Sequence, residues 1–145
     1  MANSNSVGLM GNAQPVQMLV DFTITGSAAA NTVIQGTIYP FGLSQPSQTS
    51  IVVPSKETWY LTDVSVNKSL SVDLQFQLTV DGVVQPLAID LNSTIVTNSG
   101  RYKMPIPFKI SANSTFSVSA INFTANSATT AVTESATLSI LRVGS

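Results

Sequence analysis

Between residues 16 and 24, Val16, Met18, Val20, Phe22 and Ile24 alternate with Gln17, Leu19, Asp21 and Thr23. A period of two with one mostly polar face predicts a half-buried strand. Gly26 to Asn31 is small and polar and predicts a loop. Thr32 to Tyr39 is rich in Thr and β-branched residues; Gly36 inside it marks a bulge or a close backbone approach. Pro40 to Ser50 carries two prolines and a glycine and predicts an irregular connection. The short apolar run Ile51-Val52-Val53 stops at Pro54.

The clearest pattern follows. Leu70, Val72, Leu74, Phe76, Leu78 and Val80 alternate with Ser71, Asp73, Gln75, Gln77 and Thr79, and then come Asp81-Gly82 and Val83 to Leu91. Asp-Gly supplies the positive φ angles of a type I′ turn, so this is a hairpin. Before it, Thr58 to Val66 reads as a strand in which Trp59 and Leu61 give way to Val64 and Val66, a change of phase that predicts a bulge. After it come Ile106-Phe108-Ile110, Thr115 to Thr124 and Thr130 to Val143. In the last of these, Leu141 and Val143 depart from the phase of Leu138 and Ile140, a second predicted shift. No window shows a helical period. About eight strands with sandwich-like turn spacing predict an all-β fold, two antiparallel sheets packed face to face.

Residues 1–15 differ. Asn3, Ser4, Asn5, Ser6, Gly8, Gly11 and Asn12 make a polar arm in which Val7, Leu9 and Met10 are the sizeable apolar side chains besides Met1. The expected organisation is an arm over 1–15 and a β-sandwich domain over 16–145. Val7, Leu9 and Met10 are candidate contacts to a neighbouring subunit; docking on the arm's own domain is the alternative.

Composition narrows the function. The 145 residues include no cysteine and no histidine, and charged residues are 9% of the chain, against ~25% in an ordinary soluble domain. Ser, Thr, Asn and Gln together number 54, so the surface is hydroxyl and amide. With hydrophobic residues at 43% the chain is too apolar for disorder. A net charge of −1 gives no reason to bind nucleic acid directly, and membrane contact is expected to be at most indirect. Low charge removes the repulsion that keeps monomers apart, so a homo-oligomer is expected. No basic start followed by an apolar run is present, so synthesis in a cytoplasm is expected.

Chemistry is sparse. Without histidine or cysteine there is no ordinary base for a serine nucleophile and no thiolate ligand. Asp21, Asp63, Asp73 and Asp90 are expected on solvated strand faces, and Arg101-Tyr102-Lys103 in a polar loop before Pro105 and Pro107. We therefore expect no catalytic residues, no metal site and no cofactor. Asn67, Asn92 and Asn113 head Asn-x-Ser/Thr sequons at expected strand ends or loops and are candidate glycosylation sites; the sequon at Asn122 falls within a strand and is the poorest. Phe22, Phe76, Phe108 and Phe116 fall on inward phases, and Trp59 is expected in the core rather than on a carbohydrate platform.

An arm leading into about eight strands, a nearly uncharged Ser/Thr/Asn surface and the phrase Ile51-Val52-Val53-Pro54-Ser55-Lys56-Glu57-Thr58-Trp59-Tyr60-Leu61 together resemble the small single jelly-roll capsid proteins of icosahedral, membrane-containing viruses of thermophilic archaea. The resemblance is architectural and carries no residue role across. It implies a jelly-roll β-sandwich, a structural virion protein that assembles with copies of itself and other shell proteins, and residence in the capsid. Strand spacing alone leaves an immunoglobulin-like order open. Two other classes remain: a surface filament or pilus subunit that exchanges a strand, and a monomeric carbohydrate-binding module that loses glycan binding on Trp59→Ala.

Overall fold

The computed structural model describes residues 12–40, 46–67, 70–87 and 89–144, with the backbone alone for 96–98. The elements in order are β1 (Ala13–Ile24), β2 (Val33–Tyr39), β3 (Ile51–Val52), β4 (Glu57–Val66), β5 (Leu74–Val80), β6 (Val83–Val84), β7 (Ile89–Asp90), α1 (Leu91–Asn98), β8 (Arg101–Ile110), β9 (Thr115–Asn122) and β10 (Val132–Gly144). The fold is all-β with one short helix, and the pairs are antiparallel.

The strands form one ribbon in the order β6-β5-β9-β2-β1-β10-β4-β8. β2 folds the ribbon over. Its first half, Val33 to Gln35, pairs with β9, while Gly36 to Tyr39 pair with β1. The switch falls at Gly36, where a Cβ would lie 2.7 Å from Val118 Cγ2 and 2.9 Å from both Phe22 Cε1 and the Val118 carbonyl. The close approach read from the sequence is therefore real: only glycine lets the two layers meet at this corner.

Pairing also follows a mirror rule. β1 pairs with β10, β2 with β9, β4 with β8, and β5 with β6 and β7. The chain is a long hairpin with Asp81-Gly82 near its tip, rolled until the strand faces meet. Both tip residues have positive φ, 50° and 81°, as the type I′ turn requires. The inward positions of both layers make one core, with Phe22, Phe76, Phe116, Leu61, Leu78, Leu138 and Ile140 almost fully buried. Trp59 of β4 meets Phe116 of β9 edge-on at 5.9 Å, one contact that spans the two layers.

Four expectations need correction. The first concerns Val83 to Leu91, which is not one strand. β6 ends after two residues, the chain loops out through Gln85-Pro86, and β7 rejoins β5 at Ile89. The second is the absence of helix: α1 follows directly, started by Asp90, whose side chain accepts from the Ser93 N–H at 2.9 Å. Its sequence is rich in Thr, Ile and Val and reads as strand; the cap and the burial of Leu91 and Thr94 override that preference. The third is the phase shift in β10, which pairs with β1 from Val132 to Val143 without a register shift, so Arg142 keeps the face of Ile140, although the alternation of burial ends at Ile140 and Leu141 to Gly144 are all half-buried. The extra residue is Thr62 of β4, because Ser139 faces Asp63 and Ile140 faces Leu61; the bulge predicted in β4 is present. The fourth concerns Arg101-Tyr102-Lys103, which belongs to edge strand β8 rather than to a loop. An edge tolerates Pro105 and Pro107, which donate nothing to a ladder. There Phe108 is only half-buried, and Ile106 is 81% exposed.

Candidate functional site

The most built feature outside the core is an open groove of about 580 Å³ at one end of the sandwich. Among the described residues, β1 pairs with β2 from Leu19 to Phe22, β2 ends at Tyr39, and Ala13 to Met18 of β1 pair with β10. Across the gap, β3 and the stretch around Gln48 and Ser50 form the opposite wall. The floor is apolar, with Val16, Met18, Ile51 and Trp59.

A charged cluster closes one end. Glu57 and Trp59 stand two residues apart on β4, hence on one face, and Arg142 is opposite Trp59 on the inward series of β10. Arg142 Nε donates to Glu57 Oε1 at 2.7 Å and its Nη2 donates to Oε2 at 2.9 Å; the Trp59 indole N–H also donates to Oε1 at 2.8 Å. The guanidinium lies over the indole ring, 5.3 Å from its centroid. The Arg142 hydrogen bonds, and after them the Trp59 N–H, hold the Glu57 carboxyl down at about 2, and Glu57 in turn pushes Arg142 up. Such a carboxylate is ionised at neutral pH and is a poor base, so the cluster suits positioning rather than proton transfer. It locks the indole as the groove's floor.

The remaining candidate residues are dispersed. Asp63 is buried rather than solvated and accepts from Arg101 Nη2 at 2.7 Å, so one charge of the basic cluster, itself exposed, is paired with a buried carboxylate. Asp21 accepts from the Ser135 hydroxyl at 2.7 Å. Asp73 precedes β5 rather than lying on a strand face, and Asp90 caps α1. Burial, and next the neighbouring Asp90 charge, push the Asp73 carboxyl up. Among the described residues no three His, Cys, Asp or Glu side chains gather as a metal site.

Of the sequons, Asn67 is exposed and accepts from the Thr137 hydroxyl at 2.9 Å, and Asn113 is exposed in a turn with φ 66°. Asn92 lies in the first turn of α1, half-buried, not in a loop. Asn122 is fully buried: its side chain accepts from the Thr32 N–H and donates to the Ala29 and Thr124 carbonyls. Val7, Leu9 and Met10 lie outside the described residues.

Sequence reasoning found Trp59 and missed both Glu57 and Arg142. The available signal was the inward phase of Arg142, two residues after Ile140, which was instead read as a shift. No protein-family model matches the chain, and no curated protein matches it.

Proposed function

We propose that the chain is a self-assembling shell subunit with a single jelly-roll fold, the architecture of many viral capsid proteins. The observation that carries this reading is the mirror-image pairing of the strands. With β6 and β7 taken as one segment and β3 as an addition, first pairs with last, second with second-last, and so inward to the tip. A hairpin rolled this way has two nested Greek keys, the jelly-roll plan of capsid and lectin domains. An immunoglobulin-like sandwich of the constant type puts its first and last strands in different sheets, whereas here β1 and β10 are paired along twelve residue positions.

The surface supports assembly. One outer face carries Thr133, Ser135, Thr137 and Ser139 along β10 beside Gln17, Leu19, Asp21 and Thr23 of β1, with Asp21 accepting from the Ser135 hydroxyl. The other carries Gln75, Gln77 and Thr79 of β5 beside Ser117 of β9. Hydroxyls and amides bond across an interface at no cost in ion desolvation. The prolines of β8 oppose growth into a filament through that edge.

Light scattering of the purified protein with negative-stain imaging of the same sample tests the reading. Closed particles or large symmetric rings are the expected result. A stable monomer at high concentration overturns it, and filaments favour a pilus-like subunit instead.

A further inference from the structure

Charge is spread unevenly along the chain. Residues 69–100 hold Asp73, Asp81 and Asp90 and no Lys or Arg, whereas residues 91–133 hold Arg101, Lys103 and Lys109 and no Asp or Glu. The fold carries the two stretches to opposite ends of the strand order. β8 stands at one end, and β5 with β6 and β7 at the other. Half of the chain's six cations are therefore exposed on one edge strand. The three aspartates frame the other edge: Asp73 precedes β5, Asp81 follows it, and Asp90 of β7 is opposite Gln75.

The two edges match in span. Arg101 and Lys109 lie ~26 Å apart along β8 at ~3.3 Å per residue, and Asp73 and Asp81 bracket β5 at the same ~26 Å. Each edge also shows apolar side chains to solvent, Ile106 on β8 and Val83 and Val84 on β6. The two sets of charge face away from each other. Lys103 is opposite Asp63, and Asp63 opposite Ser139, on the outer face of one layer, whereas Asp90 is opposite Gln75 on the outer face of the other. Lys103 and Lys109 make no ion pair among the described residues. At the acidic edge burial, and after it the Asp90 charge, push the Asp73 carboxyl up, so a cation arriving there offsets a like-charge contact. Pro105 and Pro107 have no N–H to donate, so β8 suits docking through side chains rather than as an added strand.

We propose that the β8 edge of one copy docks on the β5–β7 edge of a second copy, with Arg101, Lys103 and Lys109 against Asp73, Asp81 and Asp90. The proposal rests on the shell reading and adds the contact that aligns neighbouring copies. Because the edges are unlike, the contact is heterologous, the kind that builds rings when the rotation closes. Complementary charge of this sort sets encounter rate and orientation more than strength; the hydroxyl and amide faces hold the assembled copies.

Zero-length cross-linking of the wild-type chain tests it. Light and isotopically heavy protein are mixed before assembly and treated with a water-soluble carbodiimide, which condenses a lysine Nζ with a carboxylate in contact. Mass spectrometry is expected to find Lys103 or Lys109 of one isotopic chain joined to Asp73, Asp81 or Asp90 of the other. Bonds confined to single chains, or heavy–light bonds that run only from Lys56 or Lys68, overturn the proposal. Lys103→Glu/Lys109→Glu is expected to assemble about tenfold more slowly at low salt, with the gap closing at high salt; an unchanged rate overturns the proposal as well. Sedimentation of the wild-type chain with phosphatidylserine vesicles, without the heavy–light bond, gives the β8 edge to a membrane instead. Particle imaging separates the two readings. Particles without the bond sink the edge contact and leave the shell; bonded small oligomers without particles sink the shell and leave the contact.

Discussion

Individual polar side chains hold the end of the sandwich where the loops of residues 25–32 and 123–131 meet. Asn126 is 4% exposed; its amide donates to the Thr25 carbonyl at 3.0 Å and the Thr130 carbonyl at 3.3 Å, while its oxygen accepts from the Ala128 N–H at 3.1 Å. Asn122 does the same work for the neighbouring turn. The two amides are buried and their hydrogen bonds lie partly out of water, so truncating either leaves the carbonyls and N–H groups it serves short of a partner. Asn126→Ala is expected to cost about 1–3 kcal/mol, read in urea as a lower midpoint with an unchanged slope. An unchanged midpoint would mean that water replaces the amide. Glu134 belongs to the same class: buried on the inward phase of β10, it accepts from both the N–H and the hydroxyl of Ser71, tying down the approach to β5. None of this was legible in the sequence. An Asn in a loop looks the same whether it faces solvent or ties two turns together, and Glu134 stood among residues read only for their hydrophobic phase.

Elements were legible where pattern and environment agree. β1, β5 and β9 carry alternation, β4 carries it with a change of phase that marks its bulge, and the Asp81-Gly82 turn names its own geometry. Illegibility begins where tertiary contacts overrule local preference. β-branched α1 is a helix because Asp90 satisfies an N-terminal N–H and because Leu91 is buried beneath it. Asp90→Ala is expected to destabilise the protein by about 0.5–2 kcal/mol and to raise hydrogen exchange locally in α1 before the core strands open. Exchange that rises uniformly would refute a local role. Gly36 makes the opposite case: the sequence flagged it, and the structure gives the reason. Gly36→Ala places a methyl group against both Val118 and Phe22 and is expected to cost about 1–3 kcal/mol. Adding Val118→Ala should recover only part of the loss, because the Val118 carbonyl stands 2.9 Å from the new atom and does not move with the side chain. Full recovery would show that side-chain crowding alone fixes the corner.

For the whole molecule, the scarcity of titratable groups becomes a prediction about acid. No histidine is present, so no histidine titrates between neutral pH and the carboxylate range, and only seven side-chain carboxyls respond below it. Two of them, Glu57 and Asp73, act in opposite directions. Glu57, held at about 2 against an ordinary 4.5, contributes stability that is fully present above 4.5 and is lost as pH falls toward 2. Asp73 is pushed up by burial and by Asp90, so protonation favours the folded form and its contribution rises as pH falls through the acid range. The melting temperature should therefore stay nearly level from pH 7 to about 4.5, then decline toward pH 2 as the Glu57–Arg142 pair is lost. Glu57→Gln should lower the neutral plateau and flatten that decline, since glutamine has no proton to take up. Asp73→Asn should remove the opposing gain and steepen it. On the proposed shell reading, with outer faces dominated by hydroxyls and amides, particles exposed briefly to pH 3 should keep their mass in light scattering. Dissociation at pH 3 with the fold intact would place a titrating carboxylate in the contacts between subunits, and would overturn the view that uncharged faces hold the assembly together.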